Sequence, residues 1–301
     1  MPICLKDYLM TTPIICISEH LRLDKNTSCV AKALTDALDG LGVPHEELKS
    51  TNDYWVRDFM PINLFKEGVY VKYQYCPDYL WDYKSKRRYI TDPSVACANL
   101  DLFLHADLEV IFDGGNYVRC GDKVIMTDKI FMENPYYPPH ELLELLTYKL
   151  CADIVLLPWD MKDPCGHADG MVAPLDDGRL LLNNYVQNRT QKNFYKRLRK
   201  ILDAHFDVVD LSYNCALDPD SWCYLNFLNL PNAILLPTLS EHFNCENDQE
   251  AIKVMSNLFP DKQIVPVYAK PLISQGGALH CVTWEYVPNM LDRNEDLLPT
   301  N

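Results

Sequence analysis

Cys281 follows the run Gly276-Gly-Ala-Leu-His280, whose paired glycines let the backbone approach a site closely. A free thiol titrates near pH ~8.5, so acting as a nucleophile at neutral pH calls for a nearby imidazolium or a cationic substrate. His167 and Asp169 stand at i and i+2 between Gly166 and Gly170. If that segment is extended, both side chains face the same way. The imidazole could then shuttle protons while the carboxylate binds substrate. His280 adjoins Cys281, but successive side chains of an extended segment point to opposite faces. A structural hydrogen bond, and not proton transfer, is therefore expected of His280. The same region admits a zinc reading through Cys165, His167, Asp169 and Cys281, although Cys-x-His-x-Asp lacks a usual finger spacing.

The elements that must position these residues alternate between strands and helices. Ile14–Ser18 reads as a buried strand and Ser28–Leu41 as a helix ending at Gly42. Phe59–Tyr75 reads as a hairpin turning at Lys66-Glu-Gly68, Leu108–Phe112 as a strand, and Asn116–Phe131 as a hairpin turning at Gly121-Asp122. A helix follows Pro138-Pro139, then a strand Ile154–Leu157 and a hairpin turning at Asp176-Asp-Gly178. Helix Gln191–His205, strand Phe206–Leu211 and a strand pair Cys223–Leu228 and Ala233–Leu236 come next. Helix Gln249–Phe259, strand Gln263–Val267 and a last strand from Ala278 complete the pattern.

That pattern repeats. Arg57, Gly114, Gly166, Tyr224 and Gly276 mark corresponding loops, spaced 57, 52, 58 and 52 residues apart. Five near-equal units predict a cyclic α/β array in which the five marker loops converge on one central site. The last unit lacks its own helix, and the N-terminal strand and helix are placed to supply it and close the ring. Cys281 lies at the fifth marker, which separates it from the other eleven cysteines.

The marker loops read Trp55-Val-Arg-Asp58, Asp113-Gly-Gly-Asn116, Gly166-His-Ala-Asp-Gly170, Tyr224-Leu-Asn-Phe227 and Gly276-Gly-Ala-Leu-His-Cys281. In this order they resemble the motifs of the agmatine deiminase and bacterial-type peptidylarginine deiminase family, guanidine-modifying enzymes of the pentein fold. The resemblance runs from about Asn52 to Thr283. It implies a pentein-type α/β propeller of five ββαβ-like modules, with residues 1–301 as a single catalytic domain. It further implies Cys281 as nucleophile, His167 as acid and base, and Asp58 and Asp169 as the carboxylates that grip the guanidinium. The counterpart of Asp113, often Glu in the family, orients the catalytic His. Here the side chain is shorter, so a water or a closer strand must bridge the gap. Arg57 would tie loops together by bidentate pairing. Trp55 fits a pocket wall and core packing equally well.

The chemistry implied is hydrolysis of a guanidino group. Two carboxylates orient the guanidinium in fork geometry, the thiolate attacks its carbon, and the protonated His delivers a proton to departing ammonia. The same His then activates water, releasing a ureido product. No metal or organic cofactor is required. Phe59-Met-Pro61, Asp113 and Ala278-Leu279 depart from the commoner agmatine-type pattern, and the last leans towards the peptidylarginine type. The expected partner is thus a small cationic guanidino substrate, with agmatine ahead of an arginine peptide. An amidinotransferase, with an amine replacing water, and a non-catalytic pentein binding scaffold are the alternatives.

Composition narrows the classes further. The chain has 301 residues, 48% hydrophobic and 23% charged, and carries 28 Lys and Arg against 42 Asp and Glu, a net charge of −14. That is ordinary globular composition, and an acidic surface repels phosphate backbones, so no nucleic-acid partner is expected. The basic run Lys84-Ser-Lys-Arg-Arg88 reads as a solvated loop. No apolar run approaches the ~20 residues of a membrane span. Met1–Ser18 lacks a basic n-region, so no signal peptide is expected. The twelve cysteines form no C-x-x-C pair and read as mostly reduced, buried residues of a cytoplasmic protein. The phosphate-binding, dinucleotide and G-x-S-x-G motifs are absent. The pattern sets no oligomeric state.

Overall fold

Ile14–Ser18 forms strand β1, the helix Ser28–Gly40 follows, and His45–Leu48 forms β2. The helix buries Val30, Ala31, Leu34 and Leu38 as one stripe, the 3.6-residue spacing that the sequence displays. It stops where Gly42 adopts φ +66° and the Val43 N–H reaches back to the Leu38 carbonyl at 2.9 Å. β2 returns parallel to β1, as a helical crossover dictates. This computed structural model describes residues 13–64, 68–100 and 102–288.

The same unit recurs around the molecule. A short strand pairs antiparallel with a second, which pairs parallel with a third. The sets are β3 (Ile62–Asn63), β4 (Val69–Gln74) and β5 (Phe103–Ile111), then β6 (Val118–Cys120), β7 (Lys123–Thr127) and β8 (Asp153–Leu157). They continue with β9 (Val172–Pro174), β10 (Leu180–Leu182) and β11 (Val208–Asp210), then β12 (Leu228–Asn229), β13 (Ala233–Thr238) and β14 (Gln263–Tyr268). β15 (Trp284–Tyr286) closes the circle by pairing antiparallel with β1, Ile14 opposite Tyr286. The five three-stranded sheets are therefore the five expected modules of a pentein-type fold, the fifth shared between the two ends of the described chain. Helices Pro139–Leu150, Lys192–Leu202 and Glu246–Leu258 make three crossovers. The first module instead uses short turns, Asp78–Trp81 and Pro93–Ala96, each preceded or opened by proline.

Buried apolar side chains form three clusters, each drawing on more than one module. Burial thus holds the sheets to one another. Truncating Leu34, which has no exposed surface, to Ala would cost about 2–5 kcal/mol.

Several expected elements differ, mostly at the marker loops. Phe59 lies in the one-turn helix Val56–Phe59 and not in a hairpin. Cys223 belongs to a 3₁₀ segment, Ser221–Leu225, so the strand before the fourth turn shrinks to β12. Residues 279–282 form a turn, and the last strand begins only at Trp284. Ala168–Gly170 is also 3₁₀, not extended. Tight turns replace strands here because these loops must bend inward toward the axis while still satisfying their backbone groups. The turn expected at Lys66-Glu-Gly68 falls largely outside the described residues; Gly68 itself has φ +82°. Residues 84–88 are exposed, as a solvated loop requires. No described helix is long and apolar enough to cross a membrane.

Candidate active site

The marker loops meet. Arg57 donates its backbone N–H to the Cys281 carbonyl at 3.1 Å, and its guanidinium pairs with Glu285 at 2.8 Å and reaches the His280 carbonyl at 3.5 Å. It thereby ties the first loop to the fifth. Gly114 backs so closely on the Arg57 carbonyl that a Cβ would collide with it. Gly115 packs on the site itself: a Cβ there would stand 2.5 Å from His167 Nδ1 and 2.9 Å from Asp58 Oδ1. The Gly-Gly pair is needed for this approach.

His167 is 6% exposed and takes its position from two sides. Its Nε2 lies 2.9 Å from Asp113 Oδ2, a direct contact, so the shorter Asp is served by close approach of its loop and needs no bridging water. Its Nδ1 lies 3.5 Å from Asp58 Oδ1. Burial disfavours the imidazolium, but Asp58 and the hydrogen-bonded Asp113 outweigh it and push His167 up to about 10. The imidazole is therefore protonated at neutral pH.

Asp58 is 6% exposed, with its backbone carbonyl accepting from the Tyr73 hydroxyl at 2.6 Å. Its Oδ1 has no hydrogen-bond partner among the described residues. Burial, partly offset by His167, pushes its carboxyl up to about 8. Asp169 behaves oppositely. Burial works against its charge, but a 2.8 Å hydrogen bond from His280 Nδ1, together with His167 and Arg57, holds it below the usual carboxylate range. His280 thus makes a hydrogen bond, but the expected opposite facing of His280 and Cys281 fails: in a turn, not an extended segment, both side chains reach Asp169 Oδ2. The expectation that His167 and Asp169 share a strand face also fails. The 3₁₀ turn sends His167 toward Asp58 and Asp113, and Asp169 toward His280 and Cys281.

Cys281 Sγ points to Asp169 Oδ2 at 4.0 Å and accepts from Asn226 Nδ2 at 3.2 Å. Burial, Asp169 and Asp58 raise its thiol well above the ordinary range. Asn226 was missed as a functional candidate. Its Oδ1 accepts from Ala278 N at 3.0 Å and Cys281 N at 3.3 Å, so one amide holds both the backbone and the sulfur of the cysteine loop. The signal was its polarity inside the apolar run Trp222–Leu230, at the fourth marker. Trp55 lies against Gly277, where any Cβ would strike its ring. It walls the cysteine loop and packs on the apolar core at once.

The zinc reading finds no support in geometry: Cys165, His167, Asp169 and Cys281 do not form a ligand group, and no other such group exists among the described residues. The cysteines are less buried than expected. Of eleven described, all free, Cys16, Cys120, Cys223 and Cys281 are buried, Cys29 and Cys151 are exposed, and the rest are intermediate.

Comparison with known proteins gives the family and the fold of the chain. The profile of the Porphyromonas-type peptidyl-arginine deiminase family matches residues 15–287. A Marinomonas protein named "Putative agmatine deiminase" is 35% identical over 228 residues, covering 63% of this chain and 59% of its own length. The chain thus spans about three fifths of that relative. The solved agmatine deiminase of Enterococcus faecalis superposes with a TM-score of 0.68 at 20% identity, covering 92% of this chain and 93% of that one. The agmatine deiminase of C. jejuni gives 0.64 at 17% identity, covering 91% and 93%. Both structures share the fold.

Proposed function

The chain belongs to the Porphyromonas-type peptidyl-arginine deiminase family, and from that premise we propose that it hydrolyses a guanidino group to a ureido group and ammonia, with agmatine as substrate. The observation that carries this reading is Asp58 Oδ1. It is a buried carboxylate oxygen without a hydrogen-bond partner among the described residues, beside His167 and within the electrostatic reach of Cys281. Leaving such an acceptor unmade costs about 1–3 kcal/mol or more, and a guanidinium N–H would satisfy it.

The geometry supports the following roles. Asp58 and Asp169 bind the guanidinium nitrogens. The bound cation offsets the two carboxylates that raise the Cys281 thiol, so substrate binding itself favours the thiolate. Sγ attacks the guanidinium carbon, and His167, held through Nε2 by Asp113, donates its Nδ1 proton to the departing ammonia. The covalent thiouronium is then hydrolysed by a water that His167 deprotonates, which restores the thiol. A cytoplasmic setting suits this chemistry, because thiols stay reduced there.

Arginine within a peptide is the second reading, favoured by the description of the matching family and by Ala278-Leu279 before His280-Cys281. Colorimetric detection of ureido product from agmatine, arginine and a blocked arginine peptide, run in parallel, decides between them. Turnover of agmatine above the others is expected. A new guanidine formed from an added amine, with no ureido product, would mark an amidinotransferase, and no turnover of any guanidine would leave a binding scaffold.

A further inference from the structure

Behind His167 lies a charge that the reaction above does not use. Lys129 is 1% exposed, and its ammonium sits between Glu133 Oε1 at 2.7 Å and Asp78 Oδ1 at 2.8 Å. Taking a lysine and a glutamate out of water costs several kcal/mol per ion, and their pairing often does no more than offset this. A methionine could fill the same space. Stability alone is therefore a poor account of this pair, and what it touches offers a better one.

Lys129 joins two segments that both meet His167. Asp78 opens the short helix carrying Tyr79, and the ammonium lies 5.0 Å over the Tyr79 ring. That ring meets the His167 imidazole edge-on, with centroids 6.1 Å apart. On its other side, the Lys129 stem lies against Gly166, the residue before His167. A Cβ on Gly166 would stand 2.7 Å from Lys129 Cδ. Gly166 has φ +67°, and its carbonyl accepts from Thr127 Oγ1 at 2.6 Å. The short helix Lys129–Glu133, which follows β7 where the sequence pattern continued the hairpin to Phe131, therefore holds the His167 loop from below and, through Asp78, holds Tyr79 against the imidazole from the side.

We propose that Lys129 is a positioning residue for His167, clamping the Tyr79 turn and the Gly166 loop together so that the imidazole is fixed for proton transfer. The proposal rests on the deiminase reading for its kinetic consequence but not for its structural one. The test uses the double variant Lys129→Met/Glu133→Gln, which removes both buried charges together. A second variant, Asp78→Asn, cuts the charged tether. It keeps an acceptor for the Tyr79 N–H, which Asp78 Oδ1 now holds at 2.7 Å.

Three quantities are measured on the full chain: the thermal midpoint, kcat and KM for the best guanidine, and the ¹⁵N imidazole resonances of His167. In whichever variant folds with a near-native midpoint, kcat should fall about tenfold or more with KM within about twofold, the pattern of a lost transition-state interaction. The His167 resonances should shift and broaden. Wild-type kcat with unmoved resonances in a well-folded variant overturns the proposal. If the wild-type chain turns over no guanidine, the deiminase reading fails by itself. The resonances then decide the clamp: displaced signals support it, and unmoved signals overturn it.

Discussion

His167 Nε2 and Asp113 Oδ2 are 2.9 Å apart with nothing between them. This contact leaves Nδ1 as the ring nitrogen on the side of Asp58. Asp113→Asn should keep the fold and lower kcat by about 10²-fold, the scale of general acid–base catalysis. Asp113→Glu should also lower kcat, because the extra methylene pushes the imidazole from a contact already made. Equal or higher kcat in the Glu variant would show that the loop is not closely packed on His167.

Burial pushes Asp58 in the free protein up to about 8, well above an ordinary carboxyl, although the His167 charge beside it pulls the other way. A guanidinium binds the ionised form. Binding at pH ~7 should therefore release a proton, and affinity should rise with pH toward about 8, by at most about tenfold per unit. Calorimetry of agmatine with the Cys281→Ala variant in two buffers of different ionisation enthalpy measures the release. Asp58→Asn should abolish it. Asp58→Asn and Asp169→Asn should each lower kcat/KM by at least ~10²-fold. Near-normal kinetics in either folded variant removes that residue from the substrate's grip.

His167 carries its own pH signature. Its folded value, about 10, lies above the ordinary histidine value of 6.5. The stabilisation from its charged pairing is thus complete below pH ~6.5 and is lost as pH rises through about 10. The raised Asp58 carboxyl acts in the same direction, since the folded state holds its proton up to about 8 while the unfolded chain does not. Thermal midpoints should fall as pH is raised from ~6.5 to ~10, and His167→Asn should flatten that slope. In kinetics, His167→Ala should abolish turnover, whereas His280→Ala, which removes a hydrogen bond to Asp169, should do less. The reverse ranking in folded variants would reassign the acid and base.

Cys281 should be the one thiol that a haloacetamidine alkylates in step with inactivation, because Asp58 and Asp169 concentrate the cation beside it. Peptide mapping should find a single adduct, slowed by substrate. Cys281→Ala should be inactive and resist labelling. Asn226→Ala removes the amide donor to Sγ and should slow alkylation by about tenfold, the effect of one lost hydrogen bond to a charged group. Inactivation that tracks another cysteine would overturn the mechanism.

The five-module ring was legible in the sequence because each module must turn inward at the same point. That turn needs glycine where there is no room for a Cβ: against the Arg57 carbonyl at Gly114, the His167 and Asp58 side chains at Gly115, and the Trp55 ring at Gly277. The helices were legible through their 3.6-residue stripes, and ring closure through the helix missing from the last unit. The marker motifs also singled out Cys281, His167, Asp169, Asp113 and Asp58, which the structure brings into one cluster. Distances across the axis were not legible. Spacing along a chain reports recurrence, whereas contact depends on how far each loop reaches from its own sheet. The direct Asp113–His167 bond and the separation of His167 from Asp169 by a 3₁₀ turn follow from such reach. So does the hold of Asn226 on a cysteine 55 residues away. Lys129 was invisible for the same reason: its partner Asp78 lies 51 residues away, and only packing against Gly166 and Tyr79 turns an ordinary lysine into a buried link behind the site.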